Sequence, residues 1–86
     1  MKIVFDNYKR DLTFAKRGLN FADLTIEFFI GATVLPANQS RLKAVGKFGG
    51  TIIAVIYKPL GTEALSVISM RRANRKERKQ HDKCNP

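Results

Sequence analysis

A run of basic residues near the end of the chain gives the clearest chemical signal in this sequence. Between Arg71 and Lys79, most side chains are cationic. A guanidinium group presents a planar fork of N–H donors that matches two oxygens of one phosphate group. Because the run follows an apolar segment that ends at Met70, we expect these charges to be mounted on a folded scaffold rather than on a loose tail.

The charge of the chain is unevenly distributed. Residues 1–40 carry five basic and four acidic side chains, whereas residues 41–86 carry eleven and three. Cationic side chains that neutralise phosphates release condensed counterions and gain affinity that does not depend on base sequence. We therefore expect a polyanionic partner. The expected nucleic-acid contacts are Lys43, Lys47, Arg72, Arg75, Arg78 and Lys79.

Length and composition exclude several classes of protein. The 86 residues suffice for one domain, expected to span residues 1–86. The single cysteine, Cys84, cannot form a disulfide within the chain, and no Cys/His group has zinc-site spacing. The longest apolar stretch, Ile52 to Tyr57, is too short to cross a bilayer, and the chain lacks the apolar core of a signal peptide. We expect a cytoplasmic protein without a metal or other cofactor.

The first residues predict a strand followed by a helix. The strand covers Ile3 to Phe5, and Asp6 offers a side-chain acceptor to the first amides of a helix that runs to about Lys16. Gly18 is predicted to end that helix. The residues Tyr8, Leu12 and Ala15 repeat at i, i+4 and i+7 and are predicted to form its buried stripe.

A second helix is predicted between Asn20, which can cap it, and Gly31, which can end it. Asp23 lies in its first turn, where a negative charge is favoured. Its apolar face consists of Phe21, Leu24 and Phe28. We expect the two helices to pack as a tight pair.

The rest of the chain predicts an antiparallel meander. A weak strand around Thr33–Leu35 precedes a strand from Arg41 to Phe48, whose alternation makes one face apolar and the other basic. Gly49-Gly50 is a hairpin signal, and Thr51 to Lys58 is rich in β-branched residues, as is typical of a central strand. A turn at Pro59–Thr62 and a strand from Ala64 to Met70 follow. The predicted basic face carries Arg41, Lys43, Val45 and Lys47.

The last predicted element is a basic helix from Arg75 to about Lys83, because Asn74 and Glu77 have the spacing of a capping pair. The expected fold is α+β: a small antiparallel sheet with two N-terminal helices and one basic C-terminal helix. We expect the helices to cover one face of this sheet.

Several segments together resemble the BrnT toxin family, small α+β ribonucleases of the RelE-like superfamily that pair with an antitoxin in type II toxin–antitoxin systems. The segment from Phe5 to Asp23 is similar to the family's opening Asp…Lys…Lys-His-Gly…Phe-x-x-Ala region. Arg41 with Ala44-Val45-Gly46 is similar to its Arg-x-x-Ala-Ile-Gly strand. The segment Val67–Arg78 resembles its Ile-Ile-Ser-Ala-Arg-x-Ala…Glu-Arg run. The resemblance covers nearly the whole chain.

Three positions depart from the family pattern. The histidine before the glycine is Arg17 here, an arginine before the Ile-Ile-Ser run is Ser66, and a tyrosine near the end of the last helix is His81. Each departure falls on a candidate site position. The resemblance therefore implies fold and partner more directly than catalysis.

The resemblance implies RNA cleavage without a metal, in which the 2′-hydroxyl attacks the adjacent phosphorus and charge develops on the phosphoryl oxygens. Arg41 and Arg71 are the expected phosphate clamps and should converge on one cleft, with Lys16 as a third candidate. Arg17 cannot abstract a proton, because a guanidinium keeps its proton at working pH. Proton transfer is left to His81, Glu77 or a lysine. The alternatives are that His81 is exposed and idle, and that Glu77 only caps its helix.

The resemblance also implies a partner, a cognate BrnA-like antitoxin with a ribbon-helix-helix DNA-binding part, and a heteromeric complex that reaches operator DNA only through the antitoxin. A basic protein would be steered onto an acidic partner. The alternative function is a catalytically impaired homologue that serves as a basic protein-binding or nucleic-acid-binding module.

Overall fold

The computed structural model describes residues 2–84, the side chain of Cys84 excepted. Its strands are β1 (Lys2–Phe5), β2 (Thr33–Pro36), β3 (Leu42–Phe48), β4 (Thr51–Leu60) and β5 (Ala64–Arg72). Its helices are α1 (Asn7–Arg17), α2 (Ile26–Ile30) and α3 (Arg75–Cys84), with a single 3₁₀ turn at Phe21–Asp23. The α+β class predicted from the sequence is confirmed.

One five-stranded sheet with the order β1-β5-β4-β3-β2 organises these elements. Strands β2 to β5 form the predicted antiparallel meander, and β4 is its central strand. Strand β1 instead joins β5 in parallel, from Lys2 opposite Ala64 to Phe5 opposite Val67. The Gly49-Gly50 hairpin is confirmed, with Phe48 opposite Thr51 and Gly49 at a φ of 62°.

The predicted ends of α1 are confirmed. The Asp6 carboxylate accepts the backbone N–H groups of Tyr8 at 2.8 Å and Lys9 at 3.2 Å. Gly18 ends the helix in the left-handed region at a φ of 69°, which a residue with a Cβ adopts only under strain.

The predicted buried stripe of α1 is wrong. Tyr8 is 71% exposed and Leu12 39%, and no described residue of this helix is buried. Arg10 and Thr13, on the opposite side of the helix, are the half-buried positions. The helix thus turns its more polar side to the rest of the molecule.

The predicted second helix is divided in two, because the chain becomes extended at Leu24, with φ −71° and ψ 139°. Asn20 caps only the 3₁₀ turn. Thr25 then begins α2, and its hydroxyl accepts the N–H of Phe28 at 3.4 Å. The predicted packing of two helices holds only for the 3₁₀ turn, which contacts α1. Helix α1 otherwise packs against β5, whereas α2 packs against β3.

Two clusters of buried side chains lie on opposite faces of the sheet. The larger one joins the 3₁₀ turn and α2 to alternate residues of the strands, including Ala44 and Val55. The smaller one contains Val45, Ala54 and Ala73. Because neighbouring residues of a strand point to opposite faces, Val45 lies on the face away from α2. Helix α3 packs against β2 and β3 on this second face, so the prediction that all helices cover one face is wrong.

The turn predicted at Pro59–Thr62 begins later than expected. Pro59 lies within β4, opposite Leu65 of β5. On its other side β4 pairs with β3 only as far as Tyr57 opposite Leu42. A proline is tolerated there because β3 offers no further partner for the missing N–H group.

No helix within residues 2–84 has the length and apolar character needed to span a membrane.

Candidate phosphate-binding site

The site is built on the junction between β5 and α3. The two ends of the predicted capping pair bond reciprocally, because the Asn74 side chain accepts the N–H of Glu77 at 2.8 Å and a Glu77 carboxylate oxygen accepts the N–H of Asn74 at 2.9 Å. This satisfies two amides at the start of α3 and fixes the Glu77 side chain in one direction. The capping role predicted for Glu77 is confirmed.

The same carboxylate holds two cations from different strands. Arg71 of β5 donates from Nη1 to Oε1 of Glu77 at 2.7 Å and from Nη2 to Oε2 at 2.8 Å. The ammonium group of Lys43, on β3, lies 2.8 Å from Oε2. Glu77 is 2% exposed, so this cluster of three charges ties β3, β5 and α3 together under partial shelter from water.

The electrostatics of the cluster keep Glu77 ionised. The hydrogen bond from Arg71 is the main reason that the pKa of Glu77 falls from 4.5 to about 2, with Lys43 and the Asn74 amide acting in the same direction against the opposing effect of burial. The same hydrogen bond raises the pKa of Arg71. A carboxylate with so low a pKa is a weak base at neutral pH, and the cluster keeps a net positive charge.

One edge of the Arg71 guanidinium remains open. Glu77 occupies one N–H of each terminal nitrogen, and the second N–H of Nη1 points to the carbonyl oxygen of Arg72 at 3.3 Å. Nε and the outer N–H of Nη2 have no hydrogen-bond acceptor among the residues that the structure describes. These two donors are parallel and can bind two oxygens of one phosphate group.

A cavity of about 280 Å³ opens beside the cluster, between α3 and the strands β2 and β3. Its polar lining residues are Lys43, Asn74, Lys76, Glu77 and Gln80. An anion that enters this cavity meets cationic side chains from both a strand and a helix.

Arg41 does not join the cluster at Glu77. It directly precedes β3, where its backbone closes the turn after β2 through bonds to Ala37 and Asn38. That turn holds Gln39 and Ser40 at φ angles of 61°. Strand alternation places Arg41 on the face of Lys43, and its side chain has no ionic or hydrogen-bonding partner within residues 2–84.

The two candidates on α1 differ in their surroundings. Lys16 is exposed in the last turn. Arg17, next to it, donates from Nη1 to the carbonyl oxygen of Met70 at 2.9 Å. Because β1 pairs with β5 only as far as Val67, this bond satisfies a carbonyl that lies beyond the part of β5 paired with β1.

His81 is 3% exposed, so the expectation of an exposed histidine is wrong. Its Nδ1 lies 3.4 Å from the hydroxyl of Thr33 on β2. The ring also lines a cavity of about 340 Å³ together with Lys47, Glu27, Phe28 and Gly31. The histidine lies one helical turn after Glu77, on the same buried side of α3.

The expected nucleic-acid contacts divide into two groups. Lys43 is half-buried and bound to Glu77, so this part of the predicted basic face of β3 is covered by α3. Val45 on the same face signals this burial in the sequence, since an apolar residue between two lysines is typical of a covered strand. The exposed members are Lys47, Arg72, Arg75, Arg78 and Lys79.

No group of three or more His, Cys, Asp or Glu side chains within the described residues could hold a metal ion. Ser66, which stands where an arginine was expected, lies half-buried in β5 opposite Lys58 of β4.

Comparisons with known proteins agree with this architecture. The family described as "Ribonuclease toxin, BrnT, of type II toxin-antitoxin system" matches residues 5–77. The 1.1 Å crystal structure of the ribonuclease toxin BrnT from Brucella abortus is 58% identical, with a TM-score of 0.80, and the match covers 87% of this chain and 99% of that one. No curated protein sequence matches the chain.

Proposed function

Since the chain belongs to the BrnT family of ribonuclease toxins of type II toxin–antitoxin systems, we propose that it is a metal-independent endoribonuclease. In this proposal Arg71 binds the phosphate group at which the RNA is cut. The observation that carries this proposal is the bidentate pairing of Arg71 with a buried Glu77, which leaves the Nε–Nη2 edge open. A guanidinium held in this way is oriented before the substrate arrives.

In the proposed reaction, the 2′-hydroxyl loses its proton to solvent as its oxygen attacks the adjacent phosphorus. The bond to the 5′ oxygen breaks, which leaves a 2′,3′-cyclic phosphate and a 5′-hydroxyl that takes its proton from solvent. Negative charge grows on the non-bridging oxygens, where the open edge of Arg71 stabilises it. Lys43 contributes positive charge from β3, and Arg41 and Lys16 contact neighbouring phosphates. Glu77 is proposed as a positioning residue, because its low pKa makes it a poor acceptor for the hydroxyl proton.

Arg17 is proposed to act structurally, through its bond to the Met70 carbonyl. His81, buried beside Thr33, is proposed to fix α3 on the sheet and to border the RNA path at the cavity that it shares with Lys47. The exposed cations Arg72, Arg75, Arg78 and Lys79 are proposed to track the RNA backbone.

Membership of the family implies an antitoxin partner and an RNA substrate. We further propose a BrnA-like antitoxin with a ribbon-helix-helix part, a hetero-oligomeric complex that contacts operator DNA only through the antitoxin, and a cytoplasmic site of action. A RelE-like fold over residues 1–86 as one domain is part of the same proposal, supported by the antiparallel meander and the basic C-terminal helix.

The first prediction concerns Arg71. Purified, antitoxin-free protein should cut labelled RNA in excess chelator, and Arg71→Ala should lower the rate by about a hundredfold or more, the usual effect of removing a preorganised donor to a developing oxyanion. Arg71→Lys, which keeps the charge but loses the fork, should restore only a small part of the rate.

Arg10→Ala is the matched control, because the side chains of Arg10 and Arg71 are both 35% exposed and both are ion-paired. Arg10→Ala should cut RNA at the parent rate. Circular dichroism of each variant checks that the fold is retained. A parent protein that leaves RNA intact at high concentration would instead support the catalytically impaired homologue, and a folded Arg71→Ala that cuts at the parent rate would remove Arg71 from the site.

A further inference from the structure

Helix α1 is amphipathic, but its apolar side faces solvent and its more polar side faces the rest of the molecule. At about 3.6 residues per turn, Tyr8, Leu12 and Ala15 share one side, and Arg10, Thr13 and Arg17 share the other. The apolar side is exposed, whereas Arg10 and Thr13 are half-buried. The periodicity that predicts a buried stripe is therefore present, but the described residues of the chain do not cover it.

The inward contacts of α1 explain how this orientation is held. The Arg10 guanidinium carbon lies 5.9 Å from the centroid of the Phe5 ring, a distance typical of cation–π pairing. Arg17 donates to the carbonyl oxygen of Met70 at 2.9 Å. Rotating α1 about its axis to turn the apolar stripe inward would break both contacts. The stripe is therefore exposed in the folded protein.

The outward stripe has the features of an interaction surface. Tyr8 is 71% exposed and Leu12 39%, and Phe14, on another side of the same helix, is 56% exposed. Large apolar side chains clustered on the surface of a soluble protein mark a contact with another molecule more often than isolated ones do. Lys9 and Lys16 are both exposed and border the stripe on one side, so its rim is positively charged.

We propose that this stripe, defined by Tyr8, Leu12 and Ala15, is the docking surface for an amphipathic segment of the antitoxin that carries acidic residues beside its apolar positions. The inference rests on the proposed toxin function, which supplies the partner. Charge complementarity selects this occupant, because a second copy of the same chain would bring Lys9 and Lys16 against one another or against a molecule of net charge +9.

The location suits inhibition. Arg17, at the end of α1, is bonded to Met70, the residue before Arg71. An acidic segment that lies along the outward side of α1 reaches Lys16, which is proposed to contact RNA, but lies across the helix from the Arg17–Met70 bond. Its negative charges would compete with RNA for Lys16.

The test uses the full-length protein and the purified product of the neighbouring antitoxin reading frame. The double variant Tyr8→Ser/Leu12→Gln should raise the dissociation constant for the antitoxin at least about tenfold, since it removes apolar area at the centre of the contact. Lys9→Glu should slow association several-fold at low salt. RNA cleavage by the free protein should be unchanged in both variants, because neither alters the Arg71 cluster.

Ile30→Gln is the matched control, because Ile30 is 78% exposed and borders a separate apolar groove between α2 and the β4–β5 hairpin. It should leave antitoxin affinity unchanged. Affinity that is unaffected by the α1 variant, or that falls equally with Ile30→Gln, overturns the proposal, as does a homodimer of the free protein that Leu12→Gln dissociates. Failure of the toxin function shows separately, as a parent protein that does not cut RNA.

Discussion

Glu77 lies at the centre of the candidate site, where its buried carboxylate binds two cationic side chains and also caps helix α3. Its carboxylate accepts two N–H donors from Arg71, one from the Asn74 amide, and lies 2.8 Å from the Lys43 ammonium. Removing Arg71 or Lys43 leaves the buried carboxylate of Glu77 with less compensation for its charge. The residue therefore contributes to stability and to site geometry through the same contacts.

The charge of Glu77 should be visible in the pH dependence of stability. Because its pKa is lowered from 4.5 to about 2 in the folded state, its contribution is complete above about pH 5 and is lost as the pH falls towards 2. The shift corresponds to about 2 to 3 kcal/mol, with allowance for the partly exposed cations. Urea titrations at a series of pH values should show this loss in the parent protein.

Glu77→Gln should be less stable than the parent by a similar amount at neutral pH and should lose less stability on acidification. Glu63→Gln is the control, since Glu63 is exposed in the β4–β5 turn and lies in no ion pair among the described residues. Parallel stability curves for the parent and Glu77→Gln below pH 5 would contradict the assigned role of this carboxylate.

Among the structural elements, those specified by local sequence could be predicted and those decided by distant partners could not. Asp6, Gly49-Gly50 and the Asn74–Glu77 pair act on their own neighbours, and all three features are confirmed. The side of α1 that faces inward depends on Phe5 and Met70, which its periodicity does not encode. The parallel pairing of β1 with β5 has the same origin, because the paired residues, such as Lys2 and Ala64, are 62 positions apart.

The candidate site follows the same division. Arg71 and Glu77 could be selected from the sequence because they lie close together in it, and the capping spacing fixes one of them. The contact between Lys43 and Glu77 joins segments more than thirty residues apart and requires α3 to lie on the second face of the sheet. The burial of His81 depends on the same placement.

The packing of α2 on β3 gives a test at the level of elements. A Cβ at Gly46 would lie 3.1 Å from a ring carbon of Phe28 and 3.2 Å from the Cβ of Ala32. Gly46→Ala should therefore lower the free energy of unfolding by about 1 to 3 kcal/mol, because these neighbours must move. Gly50→Ala, whose Cβ would meet nothing within 4 Å, should change it by less than about 0.5 kcal/mol. Equal midpoints in urea for the two variants would show that α2 does not pack on Gly46.

At the scale of the whole molecule, the net charge of +9 should govern association with RNA. The affinity for single-stranded RNA should fall with salt, and removing one phosphate contact should reduce the slope of log K against log salt by about 0.7. Lys47→Ala should show this change. Lys2→Ala should not, because Lys2 is exposed at the opposite edge strand β1. Identical slopes for the two variants would mean that the RNA does not contact Lys47.

The reciprocal bonds at Asn74 and Glu77 also link two events that are usually separate. If the first turn of α3 unwinds, the Glu77 carboxylate moves away from Arg71 and no longer orients it. If Arg71 leaves Glu77, that turn loses a contact that holds the Glu77 side chain in its capping position. Unwinding of the first turn of α3 and loss of the fixed orientation of the Arg71 guanidinium are thus one transition with one equilibrium constant. Hydrogen exchange at the Asn74 and Glu77 amides would report how often the protein opens to the form in which Glu77 no longer orients Arg71.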